Sequence, residues 1–166
     1  MTSGIYRPAY SARYRAALDA SNNVMGFHVK AGGIPESPLE ENRFPAGSID
    51  NYLAEEFTIN SNITTGSFRA PRSNFIAAAE QSFLDEVAEA VGKDPIEFRL
   101  ELLDRAIKKP VGELKDYDPN RYAAVLKLVR EKSGWGTPQP NVHRGVSAYF
   151  CHNSYVAQVL DLTIEN

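Results

Sequence analysis

Between residues 73 and 91 apolar side chains recur at spacings of three and four, with Ile76, Ala79, Phe83, Val87 and Ala90 set among Glu80, Asp85 and Glu89. That spacing is the period of one helical face, so the pattern predicts a core-facing helix stopped by Gly92. Directly after it, Asp94-Pro95-Ile96-Glu97 combines an N-cap, a proline at the first helical position and a glutamate placed for a capping box. A second helix follows, with Ile96, Leu100 and Leu103 on one face. Asp118-Pro119 repeats the signal and opens a third, whose buried stripe is Tyr122, Val125, Leu126 and Val129 and which ends near Gly134.

Elsewhere the period shortens to two. Residues 13–18 and 24–31 read as strands joined at Asp19-Ala20-Ser21-Asn22-Asn23, residues that bond their own backbone and tolerate left-handed turns. Residues 146–150 and 155–164 read as two more strands, with Cys151-His152-Asn153-Ser154 as their turn. Pro35, Pro38 and Pro45 in residues 32–47 deny both ladder and helix, so that segment is expected to be a surface loop. In residues 50–59, Tyr52, Leu53 and Phe57 favour a helical turn that runs into a strand. The expected class is α+β, antiparallel strands with about three packed helices. Proline and polar residues after Trp135 suggest a boundary, with residues 1–134 as one region and 135–166 as a linker and the start of a following β subdomain. A sheet of two strands is marginal in water, so the last strand is expected to gain a partner from further chain.

Composition narrows the function without naming it. A chain of 166 residues with a net charge of −3 is the size of one domain and lacks the basic excess of a nucleic-acid binder. Cys151 is the only cysteine, so no internal disulfide and no thiolate-rich metal cluster can be built from this chain by itself. No apolar run approaches the ~20 residues of a membrane span.

The candidate chemistry lies at Gly66-Ser67-Phe68-Arg69-Ala70-Pro71, just before the long helix. Gly66 and Pro71 bracket Phe68-Arg69, so the backbone is expected to be buried, bent and closely packed, with donors for an anion or oxo group and a guanidinium suited to phosphate or carboxylate. The same residues also suit a plain helix start in which Arg69 pairs with a carboxylate and Phe68 fills the core, and spacing by itself favours that reading. Other groupings are weaker. Cys151 and His152 are adjacent on an extended segment and would point to opposite faces. His28, His143 and His152 lack metal-ligand spacing, and Glu40-Glu41 and Glu55-Glu56 are neighbours that would not face each other across a substrate.

Several blocks in order carry a resemblance: residues 66–71, then Glu80-Gln81-Ser82-Phe83-Leu84-Asp85-Glu86, Gly92-Lys93-Asp94-Pro95-Ile96-Glu97-Phe98-Arg99, Ser133-Gly134-Trp135-Gly136-Thr137-Pro138 and Ser154-Tyr155-Val156-Ala157-Gln158-Val159. Together with Tyr6-Arg7-Pro8-Ala9 they cover nearly the whole chain. The sequence resembles the molybdopterin-binding large subunits of the xanthine dehydrogenase and aldehyde oxidase family, most of all the bacterial isoquinoline 1-oxidoreductase beta-subunit branch, often described as aldehyde dehydrogenases.

The resemblance implies a parent enzyme that uses a molybdenum ion on a pterin cofactor to oxidise an N-heterocycle or an aldehyde. It further implies that electrons leave through a small iron–sulfur partner subunit. Phe68, Arg69 and Ala70 match the family's cofactor-contacting segment. The family's glycine-rich loop, later pterin loops and catalytic glutamate have no counterpart here, so the chain is expected to be an internal fragment of a larger subunit. No catalytic residue and no metal ligand is assigned to it, and it is expected to bind no cofactor by itself and to be inactive alone. A surface normally covered by the rest of that subunit would then be open to self-association. The compartment stays open between bacterial cytoplasm and periplasm. The competing expectation is a free-standing scaffold or protein-interaction domain derived from the same family. Two departures stand out: Arg72 follows Pro71 where the family has glycine, and Asn153 stands where it has glycine before Ser154-Tyr155.

Overall fold

A computed structural model describes residues 4–112 and 115–165. Its elements run β1 Ala9–Leu18, β2 Val24–Ile34, β3 Asn51–Thr58, α1 Ser73–Ala90, α2 Pro95–Lys108, α3 Pro119–Ser133, β4 Val142–Cys151 and β5 Ser154–Thr163, an α+β fold. The chain divides into two compact units, Met1–Glu41 with Ile49–Phe83 and Asn42–Ser48 with Leu84–Asn166. The start of α1 therefore belongs to one unit and its end to the other. The expected boundary at residue 134 does not coincide with this division, because β4 and β5 group with α2 and α3.

The first unit is built on a three-stranded sheet of order β1-β2-β3. The β1–β2 hairpin is antiparallel and its ladder runs from Ala9 opposite Ile34 to Leu18 opposite Val24. Its turn forms as the sequence implies. The Asp19 carboxylate accepts the N–H groups of Ser21 and Asn23 at 2.8 and 2.9 Å, and Asn22 takes φ 61°. Bonds from Asn23, its side chain first, hold the Asp19 carboxyl below its usual range. On the inward face Phe27 stacks on Tyr52 and meets Phe83 of α1 edge-on, Tyr14 stacks on Phe83, and Tyr10 packs on Phe75. Each such pair adds about 0.5–1.5 kcal/mol beyond the area it buries.

Residues 51–58 form β3 and not a helical turn, paired parallel to β2 from Gly26 opposite Asn51 to Gly33 opposite Thr58. The local pattern misleads because Leu53 faces outward at 53% exposure, while the ladder that fixes the strand comes from a segment 25 residues earlier. The glycines of β2 are dictated by this close pairing. A Cβ at Gly32 would lie 2.1 Å from the Phe57 carbonyl oxygen, and one at Gly33 equally close to that of Ala9.

The segment expected as a surface loop is a second correction. Residues 32–34 complete β2, and Ser37, Pro38, Leu39, Phe44, Pro45, Ala46 and Ser48 are buried. Ser37 Oγ donates to the Ala31 carbonyl of β2 and accepts from the Leu39 amide, which gives that buried amide a partner outside any ladder. Glu80, which lies off the apolar stripe of α1, is not at the surface. It is buried, bonded by Gln81 Nε2 at 3.0 Å, and the Tyr52 hydroxyl is pushed well above its ordinary pKa by burial first and then by the charges of Glu80 and Glu41.

In the second unit the two cap signals hold. Asp94 Oδ1 accepts from the amides of Ile96 and Glu97, Asp118 Oδ1 from those of Asn120 and Arg121, and Gly134 closes α3 in the left-handed region at φ 60°. Glu97, placed by the sequence for a capping box, pairs its carboxylate with Arg130 of α3. Ile96, Leu103 and Leu126 are fully buried, and Tyr122 sits among Phe44, Tyr117 and Tyr155 and donates to the Ala148 carbonyl. β4 and β5 form a two-stranded antiparallel sheet whose turn takes φ 49° at His152 and 58° at Asn153. Asparagine thus supplies the left-handed turn that glycine supplies in the family it resembles.

Candidate functional site

The turn before α1 is held at both ends. Tyr6 bridges Thr65 in parallel, and the Gly66 amide donates to the Tyr6 carbonyl at 2.9 Å. A Cβ at Gly66 would fall 2.3 Å from Ile5 Cγ2, so the close packing expected here is real on that side. At the other end the Ala70 carbonyl accepts the Asn74 amide at 2.9 Å, Asn74 Nδ2 donates to the Arg69 carbonyl at 2.9 Å, and the Arg72 carbonyl accepts the amides of Phe75 and Ile76. Ala70 and Arg72 take φ 54° and 64°. Arg72 therefore keeps the left-handed backbone that a glycine would adopt there without strain.

Between these anchors lie Phe68, Arg69 and Ala70, all exposed. The turn is not buried as expected, and Phe68, 51% exposed, does not fill the core. The amides of Phe68, Arg69 and Ala70 donate to no partner among the described residues, and Arg69 forms no ion pair among them. A run of unengaged amides beside a free guanidinium is a donor set for oxygen atoms that carry negative charge. It fits the oxo and pterin oxygens of the cofactor that the resemblance implies.

A concavity of about 190 Å³ opens beside the turn, lined in part by Arg7, Tyr10, Glu36, Phe68, Arg72 and Asn74. The Arg7 guanidinium lies 4.8 Å from the centre of the Phe68 ring and donates to Asn74 Oδ1 at 3.1 Å. Arg72 Nε stands 3.8 Å from a Glu36 oxygen. The Tyr10 hydroxyl is raised above its ordinary pKa by burial and then by Glu36, against the opposing pull of Arg72 and Arg7. Sequence reasoning did not find this grouping, because its members come from segments about 30 residues apart. The one signal was Arg72 itself, the departure from glycine.

The remaining candidates stay apart. His28 Nε2 bonds Glu55 Oε2 across the β2–β3 ladder at 2.7 Å, His143 and His152 are exposed, and Cys151 ends β4 beside its turn. Glu56 is exposed while Glu55 is engaged with His28 and Lys30. Among the described residues no three His, Cys, Asp or Glu side chains gather as a metal site, and no helix is long and apolar enough to cross a membrane.

With this geometry in view, the fold can be set beside solved ones. It is shared with part of quinoline 2-oxidoreductase from Pseudomonas putida 86, at TM-score 0.58 and 14% identity over 89% of this chain and 22% of that one. It is likewise shared with part of an aldehyde oxidoreductase from Desulfovibrio gigas, at TM-score 0.56 and 16% identity over 86% of this chain and 18% of that one. The architecture is therefore that of a segment found within large oxidoreductase chains. In sequence, the chain is 27% identical to a membrane-bound aldehyde dehydrogenase [pyrroloquinoline-quinone] from Gluconacetobacter polyoxogenes, over 164 aligned positions that cover 79% of this chain. It spans 20% of that relative's length. No family model matches the chain.

Proposed function

We propose that this chain is part of the large subunit of a molybdenum hydroxylase that oxidises an N-heterocycle or an aldehyde, nearest in kind to the bacterial isoquinoline 1-oxidoreductase beta subunits. The observation that carries the reading is the exposed Phe68–Ala70 turn, whose amides are unengaged and whose arginine is unpaired among the described residues. The shared fold with two oxidoreductases, one named for quinoline and one for an aldehyde, supports it.

When bound, the molybdopterin cofactor supplies two-electron oxidation of an electron-poor carbon. The chain's own part is positioning. The Phe68, Arg69 and Ala70 amides would hold oxygen atoms of the cofactor and the Arg69 guanidinium would offset their negative charge, while the bonds with Asn74 fix the turn in advance. The family's catalytic glutamate has no counterpart in this chain, so we assign proton transfer to other parts of the subunit and expect the chain alone to be inactive. Val156, Leu160, Leu162 and Ile164, exposed on and just beyond β5, form the face that the remainder of the large subunit covers. In the isolated chain the same face lets copies associate. A small iron–sulfur subunit receives the electrons.

A second reading, a parent aldehyde dehydrogenase that uses pyrroloquinoline quinone, has one observation in its favour: the relative's name carries that quinone and not molybdenum. The test between roles for the turn is turnover by the full-length parent enzyme on quinoline, isoquinoline and an aromatic aldehyde. Arg69→Ala is expected to lower it about a hundredfold, the scale of losing one preorganised charge-stabilising donor. Unchanged turnover in that variant would remove Arg69 from the site.

A further inference from the structure

We propose that the concavity flanked by Arg7 and Arg72 binds the oxyanion of a small ligand, a phosphate ester or a carboxylate, gripped between the two guanidinium groups. The hollow shares Phe68 with the turn assigned to the cofactor, but the proposal rests on Arg7, Arg72 and Asn74, none of which that assignment uses as a cofactor contact, and it is tested without the cofactor.

The charges favour it. Of the described side chains lining the hollow, Arg7, Glu36 and Arg72 are the charged ones, so one positive charge is left over. Arg7 is held ready. The Phe68 ring supports one face of its guanidinium and Asn74 fixes a single nitrogen, which leaves the rest of its donor fork for a ligand. Ordering that side chain in advance removes an entropy cost that an unsupported arginine would meet on binding.

Arg72 is held loosely. Its 3.8 Å approach to Glu36 is an ion pair without hydrogen-bond distance, between side chains 41% and 51% exposed, and pairs of that kind contribute little. A ligand oxyanion that accepts true hydrogen bonds from the fork displaces Glu36 readily. Tyr10 also lines the hollow, and its hydroxyl is a further donor there. The hollow, about 190 Å³, suits a small oxyanion-bearing group and not a drug-sized molecule.

The arrangement makes Glu36 a competitor for the arginines and gives the test its sign. The 166-residue chain, free of metal, is titrated in a calorimeter at low salt with inorganic phosphate and, separately, with acetate. Saturable binding is expected. Arg72→Gly and Arg7→Ala should each weaken it about tenfold, the scale of one charge-assisted hydrogen bond. Glu36→Gln leaves both guanidinium groups in place and should tighten it severalfold. Tighter phosphate assigns the site to a phosphate ester, and tighter acetate assigns it to a carboxylate. Circular dichroism establishes that each variant is folded. No saturable binding of either anion overturns the proposal, as does affinity that is indifferent to Arg72→Gly and Arg7→Ala or that falls in Glu36→Gln. None of these outcomes touches the molybdenum reading, which is tested on the parent enzyme.

Discussion

Ala70 and Arg72 flank Pro71 with φ angles of 54° and 64°, so two residues with side chains hold the left-handed conformation within one three-residue turn. A Cβ in that region costs about 1–2 kcal/mol, part of which glycine would recover at the expense of a freer unfolded chain. Ala70→Gly and Arg72→Gly are both expected to raise stability, by up to about 1 kcal/mol in urea denaturation. The gain should be larger for Ala70, because Arg72 also gives up its approach to Glu36. If both glycines lower stability, the turn is not strained.

The helices and the two hairpins were legible in the sequence because their signals are local: Asp94-Pro95 and Asp118-Pro119 cap, Asn22 and Asn153 turn, and apolar spacing marks the faces. β3 was not legible, because its ladder with β2 is long-range and its own pattern shows Leu53 outward. Nor was the burial of residues 37–39 and 44–46, where prolines usually announce exposure but Ser37 satisfies the backbone internally. At the site, the sequence located the turn and its bend but misjudged its burial. Beyond the departure from glycine at Arg72, it did not show that Arg7 and Arg72 share a hollow, since such convergence comes from the tertiary fold and not from any motif.

Arg99, 1% exposed, donates to Asp85 at 2.7 Å and to the Pro95 carbonyl at 2.9 Å. The two partners are unequal, because the Asp85 side chain is 41% exposed. Asp85→Ala removes a carboxylate partner from a buried guanidinium and is expected to cost up to about 3 kcal/mol. Arg99→Leu leaves a carboxylate that water can reach and fills the space with apolar atoms, so it should cost less. Guanidinium denaturation of the two variants ranks them, and the reverse order would contradict this assignment.

Arg144 joins β4 to β5 and to the end of α3. Its Nε and Nη2 donate to the two Asp161 oxygens at 2.8 and 3.1 Å, while Nη1 and Nη2 also donate to the carbonyls of Gly134 and Ser133. The bond from Arg144 holds the Asp161 carboxyl below its ordinary value of 3.8. A lowered folded-state pKa means that the unfolded chain takes up the proton first as pH falls. The contribution is therefore present above about pH 4 and lost as pH drops through the folded value. Thermal unfolding of Asp161→Asn should show a shallower loss of stability below that pH than the unaltered chain. Identical acid profiles would contradict the link.

The central claim is that the Phe68–Ala70 turn belongs to a molybdenum centre. Elemental analysis of the purified full-length parent, read as molybdenum per large subunit, tests it most directly. The account predicts stoichiometric molybdenum, diminished in Arg69→Ala. A parent that carries pyrroloquinoline quinone and no molybdenum would contradict it.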